Sequence, residues 1–289
     1  MQQTKIRITP ETPSLGAVVE NVDTRVPLSS SVIQELQEAL LQYKVLFFRR
    51  QSLSAEELQR LANQFGNPYL HAIKLKIDDE APGVTKVTRV PYFHSDLMYM
   101  DEPPTFSMLQ MDAVPSVGGD TMWADLVSSY RDLTPAIKEL IHPLTGLYVS
   151  ERFYLTDDEI RALQFAHYKE VLTPERLADV RAASAPHEHP LVRVIPETNE
   201  VNYWLCAHFT KSIVGMSAIE SDALLKMLFA HQMQPKYVYR WKWEQGDIAF
   251  WDHRTTLHSG VDDFGDEERH GQRASIEAAA PVGAVSLGL

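Results

Sequence analysis

The sequence predicts a mainly β protein with helical inserts, in which a double-stranded β-helix, or jelly roll, forms the core and helices pack on its outside. Three observations lead there. Short runs of apolar, β-branched and aromatic residues recur at 45–48, 106–111, 191–195, 203–206, 237–243 and 248–251. Amphipathic stretches lie between them, without the regular strand–helix alternation of a Rossmann or TIM architecture. Pro103-Pro104 and Gly118-Gly119 punctuate the runs as turns do.

In chain order, residues 5–27 mix β-branched residues with Pro and Gly. Val32, Ile33, Leu36, Leu40 and Leu41 then recur at helical spacing, with Ser31 and Gln34 as a capping box. Val45-Leu46-Phe47-Phe48 is apolar throughout, as a buried strand is. A second capping box, Ser54 with Glu57, opens a helix whose buried stripe is Leu58, Leu61 and Phe65 and whose stop is Gly66. Gly118-Gly119-Asp120-Thr121 turns into a strand at Met122-Trp123-Ala124. Thr134 caps a helix with Pro135 at its first position. Residues 152–185 read as polar and helical, and are expected to be an insertion over the functional site. A last helix spans 217–231, opened by Ser217 and Glu220. No repeat or linker divides the chain, so residues 1–289 are expected to form one domain.

A net charge of −12 argues against nucleic acid or an anionic membrane as partner, since both recruit basic patches. Cys206 is the only cysteine, so no intramolecular disulfide can form, and the expected location is the cytoplasm. No run approaches the ~20 apolar residues of a membrane span. Oligomeric state is not encoded in any repeat or heptad, and a homo-oligomer is compatible with the sequence.

Candidate chemistry starts at Tyr92-Phe93-His94-Ser95-Asp96. On a strand, His94 and Asp96 share a face and can hold one metal ion; a hydrogen-bonded pair is the bland alternative. A distant second histidine, His258, would complete the 2-His-1-carboxylate triad of non-haem Fe(II) oxygenases, which leaves coordination positions open for co-substrate and oxygen. Downstream, Arg269 and Arg273 stand four residues apart and share a face if 269–276 is a strand. Two arginines pointing inward need anions to pair with; the alternative is a surface pair answering the acidic loop at 262–268.

Phe65-Gly66, His94-x-Asp96, Gly118-Gly119-Asp120-Thr121-x-Trp123-Ala124, Pro196-Glu197-Thr198, Phe209-Thr210, 246–252, His258 and the Arg269/Arg273 pair occur in one order. Together they resemble the taurine dioxygenase-like group of Fe(II)- and 2-oxoglutarate-dependent dioxygenases over nearly the whole chain. The resemblance implies that His94, Asp96 and His258 bind iron and that Thr121 and Arg269 hold the distal carboxylate of 2-oxoglutarate. It further implies that Arg273 faces an anionic group of the substrate, and that O2 is the second co-substrate. Of three positions that bind sulfonate in taurine-cleaving members, His71 is kept, while Lys74 and Val90 replace a Tyr and an Asn. Cys206 stands where an Asn is common. Taurine is therefore not the expected substrate, although Lys74 still favours an anion. Tyr92, Met98, Tyr99 and Phe209 are candidates for an apolar pocket beside it.

His142, His187, His189 and His231 are expected in solvated or capping roles, the middle two in a loop between Pro186 and Pro190. His208 and His253 are candidates for support of the metal, and Cys206 for a buried apolar role. The function expected is oxidation of a small anionic organic molecule with release of succinate and CO2. The rivals are tailoring of an amino-acid-like intermediate, a zinc hydrolase on the same ligands, and a non-catalytic jelly-roll binding or sensor module.

Overall fold

A strand that is apolar at every position must be covered on both faces, and Val45–Phe48 (β3) is buried at all four positions. Leu46 and Phe48 point to one hydrophobic cluster and Val45 and Phe47 to another. The computed structural model describes residues 5–70, 81–87, 90–150, 178, 181, 182 and 184–285. Within them the protein is mixed α/β and mainly strands, arranged in several sheets.

The largest sheet has seven strands in the order β1 (Arg7–Pro10), β2 (Ala17–Glu20), β3, β13 (Ile248–Asp252), β5 (Pro104–Ala113), β15 (His270–Ala278) and β4 (Val84–Val87). One face carries α1 (Ser30–Tyr43) and α2 (Ala55–Ala62), whose Leu36, Leu40, Leu58 and Leu61 pack with Ile248, Phe250 and Ile276. The other face meets a three-stranded sheet, β12 (Val238–Trp241), β6 (Thr121–Asp125) and β14 (Thr256–Gly260). Between the two sheets lies an aromatic interior. Phe47 stacks on Trp241 at 4.0 Å, and Trp123 meets Trp251 edge-on at 6.0 Å.

Two small sheets extend the far end: β11 (Thr210–Ile213), β7 (Thr145–Tyr148) and β8 (His187–Pro190), then β10 (Val201–Tyr203) with β9 (Val192–Val194). The short helices α3 (Leu126–Arg131) and α4 (Pro135–Ile141) and the longer α5 (Ala218–Gln232) pack beside them. Among the described residues no helix is long and apolar enough to cross a membrane.

The capping boxes at Ser54 with Glu57 and Ser217 with Glu220 form as expected. The first helix differs: its N-cap is Ser29, which accepts from the Val32 N–H, so Ser31 and Gln34 form no box. A run of three serines offers three caps, and the register that buries Leu36, Ala39 and Leu40 selects the first. Helix α2 ends at Asn63, before Gly66. The strand expected at 203–206 is Val201–Tyr203, and the aromatic strand expected from Tyr237 starts at Val238, Tyr237 closing a 3-10 turn. The loop expected around His187 and His189 is strand β8, paired with β7. Most of the insertion at 152–185 lies outside the described residues, as do His71 and Lys74.

Candidate metal centre

His94, Asp96 and His258 come together, buried, with one potential ligand atom from each lying within 4.8 Å of the others. Two backbone hydrogen bonds fix the pairing. The His94 N–H donates to the His258 carbonyl at 3.0 Å, and the His258 N–H donates back at 2.8 Å. His258 is held from its other edge by β6, paired with Trp123. The strand expected under His94-x-Asp96 does not form. His94 makes an isolated bridge, and Asp96 opens a turn in which Leu97 adopts φ 54°. A left-handed leucine costs about 1–2 kcal/mol. The turn swings the Asp96 carboxylate back beside the His94 ring, Oδ1 lying 3.3 Å from Nε2.

Ring orientations follow from hydrogen bonds. His94 Nδ1 lies 2.9 Å from the Tyr92 carbonyl, which makes it the donor and turns Nε2 toward Asp96. His258 Nδ1 is buried and has no hydrogen-bond partner among the described residues. Burial holds His258 well below its ordinary pKa, reinforced by the neighbouring His94, so the ring is neutral. Burial alone would raise the Asp96 carboxyl, but the His94 hydrogen bond and the nearby His253 and His258 rings outweigh it, and the group is held well below the usual carboxylate range. Two imidazoles and an ionised carboxylate, converging in a buried site with a ring nitrogen of His258 unsatisfied among the described residues, fit a divalent cation.

His253 sits behind the triad, its Nε2 3.5 Å from Asp96 Oδ2 and 2.8 Å from Ser107 Oγ. Burial brings it down to about 4. His208 is further out, stacked on Tyr92 at 3.8 Å. Phe209 stands 6.3 Å from the His94 ring and meets Tyr99 at 4.9 Å. Tyr99 and Met98 are both buried in the core beside Trp204 and Leu205, Met98 with no exposed surface.

Both arginines are buried, which removes the surface alternative. Arg269 precedes β15, at a bulge between His270 and Gly271. Its Nε donates to the Gly119 carbonyl at 2.6 Å and its Nη2 to Thr121 Oγ1 at 3.2 Å. Gly118 and Gly119 make this possible with φ of 80° and 70°, and a Cβ on Gly119 would sit 2.6 Å from Pro115 Cγ. Arg273 places Nη1 2.5 Å from Asp96 Oδ2, and its buried Nε has no hydrogen-bond partner among the described residues. Burial pulls its guanidinium down to about 10, still charged at neutral pH. His270, between them, is partly exposed beside Glu268, pointing away as strand alternation requires.

Sequence reasoning did not single out Trp243, Ser95 or Ser107. Trp243 Nε1 donates to Thr121 Oγ1 at 2.9 Å. Ser95 Oγ donates to the His253 carbonyl at 3.1 Å. Ser95 carried a signal in lying between two candidate ligands; the other two become neighbours only through sheet pairing. His142 caps α4, whereas His187, His189 and His231 lie within hydrogen-bond distance of the carbonyls of Tyr99, Met100 and Ser129. His189 is buried, not solvated. Cys206 is buried, its thiol pushed up to about 11 by burial.

Known proteins resemble this chain in sequence and in fold. The chain is 31% identical to an alkylsulfatase of Acinetobacter baylyi, over 96% of this chain and 86% of that one. It is 30% identical to an alpha-ketoglutarate-dependent sulfate ester dioxygenase of Pseudomonas putida, over 96% and 92%. The solved structure of a taurine dioxygenase from Burkholderia xenovorans superposes with a TM-score of 0.80 at 31% identity, covering 97% of this chain and 93% of that one. A further structure, of AAD-2 in complex with Mn(II) and N-oxalylglycine, gives 0.78 at 26% identity, covering 96% and 100%. Residues 7–275 match the model of the taurine catabolism dioxygenase TauD, TfdA family. With the His94, Asp96 and His258 triad assembled in this fold, the chain belongs to that family and is an alpha-ketoglutarate-dependent dioxygenase.

Proposed function

We propose that the protein uses Fe(II), 2-oxoglutarate and O2 to oxidise a small organic sulfate ester or a related sulfonate, releasing succinate and CO2. The observation that carries the anionic substrate is Arg273: a buried guanidinium beside the triad, with its Nε–H unused among the described residues. Buried donors of a charged group are rarely left unpaired, and a tetrahedral or planar oxyanion is the partner that a guanidinium fork suits. The sulfate ester class is favoured because the relatives at 30–31% identity over most of the chain include an alkylsulfatase and a sulfate ester dioxygenase.

In this reading His94, Asp96 and His258 hold the iron, which supplies the oxidising chemistry when 2-oxoglutarate and O2 are bound. Thr121 and Arg269 hold the distal carboxylate of 2-oxoglutarate. Thr121 Oγ1 accepts from both Trp243 Nε1 and Arg269 Nη2, which leaves its own proton to be donated to an incoming carboxylate. Arg273 anchors the sulfate, with His71 and Lys74 as further anion contacts. Tyr92, Phe209, Tyr99 and, behind them, Met98 give the alkyl chain an apolar wall and keep water from the reacting carbon. Hydroxylation at the carbon bearing the sulfate oxygen makes a hemiacetal-like ester that collapses to an aldehyde and free sulfate. The two facing sheets support a double-stranded β-helix, residues 1–289 acting as one domain with 152–185 inserted over the site.

The experiment is a panel of alkyl sulfates, alkyl sulfonates, aryloxy acids and N-modified amino acids, scored by succinate release for wild type and Arg273→Met. Arg273→Met is expected to raise KM for the best alkyl sulfate about 10–100-fold, the cost of one charge-assisted pair. An amino acid derivative as the best substrate, with KM unmoved by Arg273→Met, would refute the sulfate reading.

A further inference from the structure

His253 lies on the same hairpin as His258, at the turn between β13 and β14, and is buried. Two donors face its Nδ1, the Asp96 backbone N–H at 3.4 Å and the Trp251 indole N–H at 3.3 Å, while Ser95 Oγ, whose proton goes to the His253 carbonyl, lies 3.3 Å away. An amide and an indole can only donate, so Nδ1 is an acceptor and the ring proton is on Nε2. That Nε2–H faces Ser107 Oγ at 2.8 Å, whose hydroxyl donates onward to Ser275 Oγ at 3.2 Å. Asp96 Oδ2 lies 3.5 Å from the same nitrogen.

We infer that His253 is a positioning residue for the Asp96 carboxylate, acting through Nδ1 as the acceptor that pins the Ser95-Asp96 backbone to the His258 hairpin. The inference rests on the metal triad proposed above. Its consequence is geometric. With the Asp96 N–H tied to His253, and Oδ2 beside Arg273 Nη1 at 2.5 Å, the carboxylate offers the metal a single oxygen, Oδ1, on the His94 side. A carboxylate held monodentate leaves open the coordination positions that two co-substrates need. His253 never touches substrate or metal; it sets where Asp96 stands.

Packing and positioning predict opposite orders of two variants. In His253→Asn the side-chain oxygen occupies the place of Nδ1 and keeps the acceptor, at the expense of ring volume. In His253→Leu the volume is kept and the acceptor is lost. The readout is the dissociation constant of Mn(II), used as the metal probe on the full-length metal-free protein without co-substrates, together with the melting temperature. His253→Asn is expected to bind within about threefold of wild type, and His253→Leu about 10–100-fold more weakly, as loss of a group that orients a ligand costs elsewhere. Should the Leu variant not fold, His253→Gln carries the same expectation, because its amide lies one bond beyond the Nδ1 position. Leu or Gln binding as tightly as wild type, or Asn as weak as Leu, overturns the inference. His258→Ala is the control: if it binds Mn(II) as wild type does, the triad itself is wrong rather than the part assigned to His253.

Discussion

Removing Arg273 should destabilise the metal-free protein more than the metal-loaded one. Arg273 Nη1 and Asp96 Oδ2 are 2.5 Å apart with both side chains buried. Two unit charges at that distance attract by about 6–7 kcal/mol at an effective dielectric of about 20. Dehydration of both groups takes back a large share, and deleting one partner of a buried pair costs about 3–5 kcal/mol because the other is left uncompensated. Unfolding entropy of about 2.1 cal/mol/K per residue over this chain converts that loss to a fall of about 5–8 °C in melting temperature. Arg273→Met keeps most of the volume and removes the charge. The assay is thermal unfolding of chelator-treated wild type and variant, each with and without saturating Mn(II). The variant should melt about 5–8 °C lower when metal-free and recover much of the difference with Mn(II), since a divalent cation on Asp96 replaces the lost counter-charge. A metal-free variant melting within about 1 °C of wild type would refute the pairing as the charge balance of the site.

Thr121→Val should weaken 2-oxoglutarate about tenfold, measured as KM for succinate formation, because it deletes the one hydroxyl proton left to donate to a carboxylate; an unchanged KM would move the clamp elsewhere. His189 offers a pH test away from the metal ligands. Burial first of all, reinforced by the neighbouring His187, outweighs the Nε2–H bond donated to the Met100 carbonyl and lowers its pKa to about 4, against about 6.5 in an unfolded chain. The unfolded state therefore binds the extra proton between those values, so the stability His189 contributes is complete above pH ~6.5 and is lost as pH falls toward 4. His189→Gln should reduce proton uptake on unfolding in that window by about one, read from urea midpoints against pH; an unchanged slope would assign the uptake to other groups. Cys206, buried and with its thiol raised to about 11, should not react with Ellman's reagent until the protein unfolds, and fast labelling of native protein would contradict its burial.

Where the sequence was legible, one local rule sufficed. The all-apolar run at β3 and the Ser-x-x-Glu boxes at Ser54 and Ser217 encode structure within a few residues, and they hold. Two of the three metal-site candidates stood one residue apart in sequence, and His258 followed from chemistry that needed another imidazole. What failed depended on competition. Three consecutive serines could each cap α1, and tertiary burial decided among them. The strand reasoning for His94 and Asp96 led to the right residues for an incomplete reason, because a left-handed Leu97 and a backbone bridge to His258, not strand alternation, bring the carboxylate round. His187 and His189 between prolines look like loop residues, yet Pro190 closes a short strand at its end, where its missing N–H is tolerated. Trp243 and Ser107 had no legible signal, because sheet pairing across more than a hundred residues is what places them beside Thr121 and His253.

The most direct measurement is succinate released from 2-oxoglutarate under air, with Fe(II) and hexyl sulfate, by wild type and His258→Ala. Wild type should form succinate and free sulfate together and depend on both the sulfate ester and Fe(II), while His258→Ala forms neither above background. Equal succinate from the two proteins would contradict an iron centre built on His94, Asp96 and His258. Succinate from wild type alone, unaffected by hexyl sulfate, would leave the centre standing and contradict the sulfate ester as its substrate.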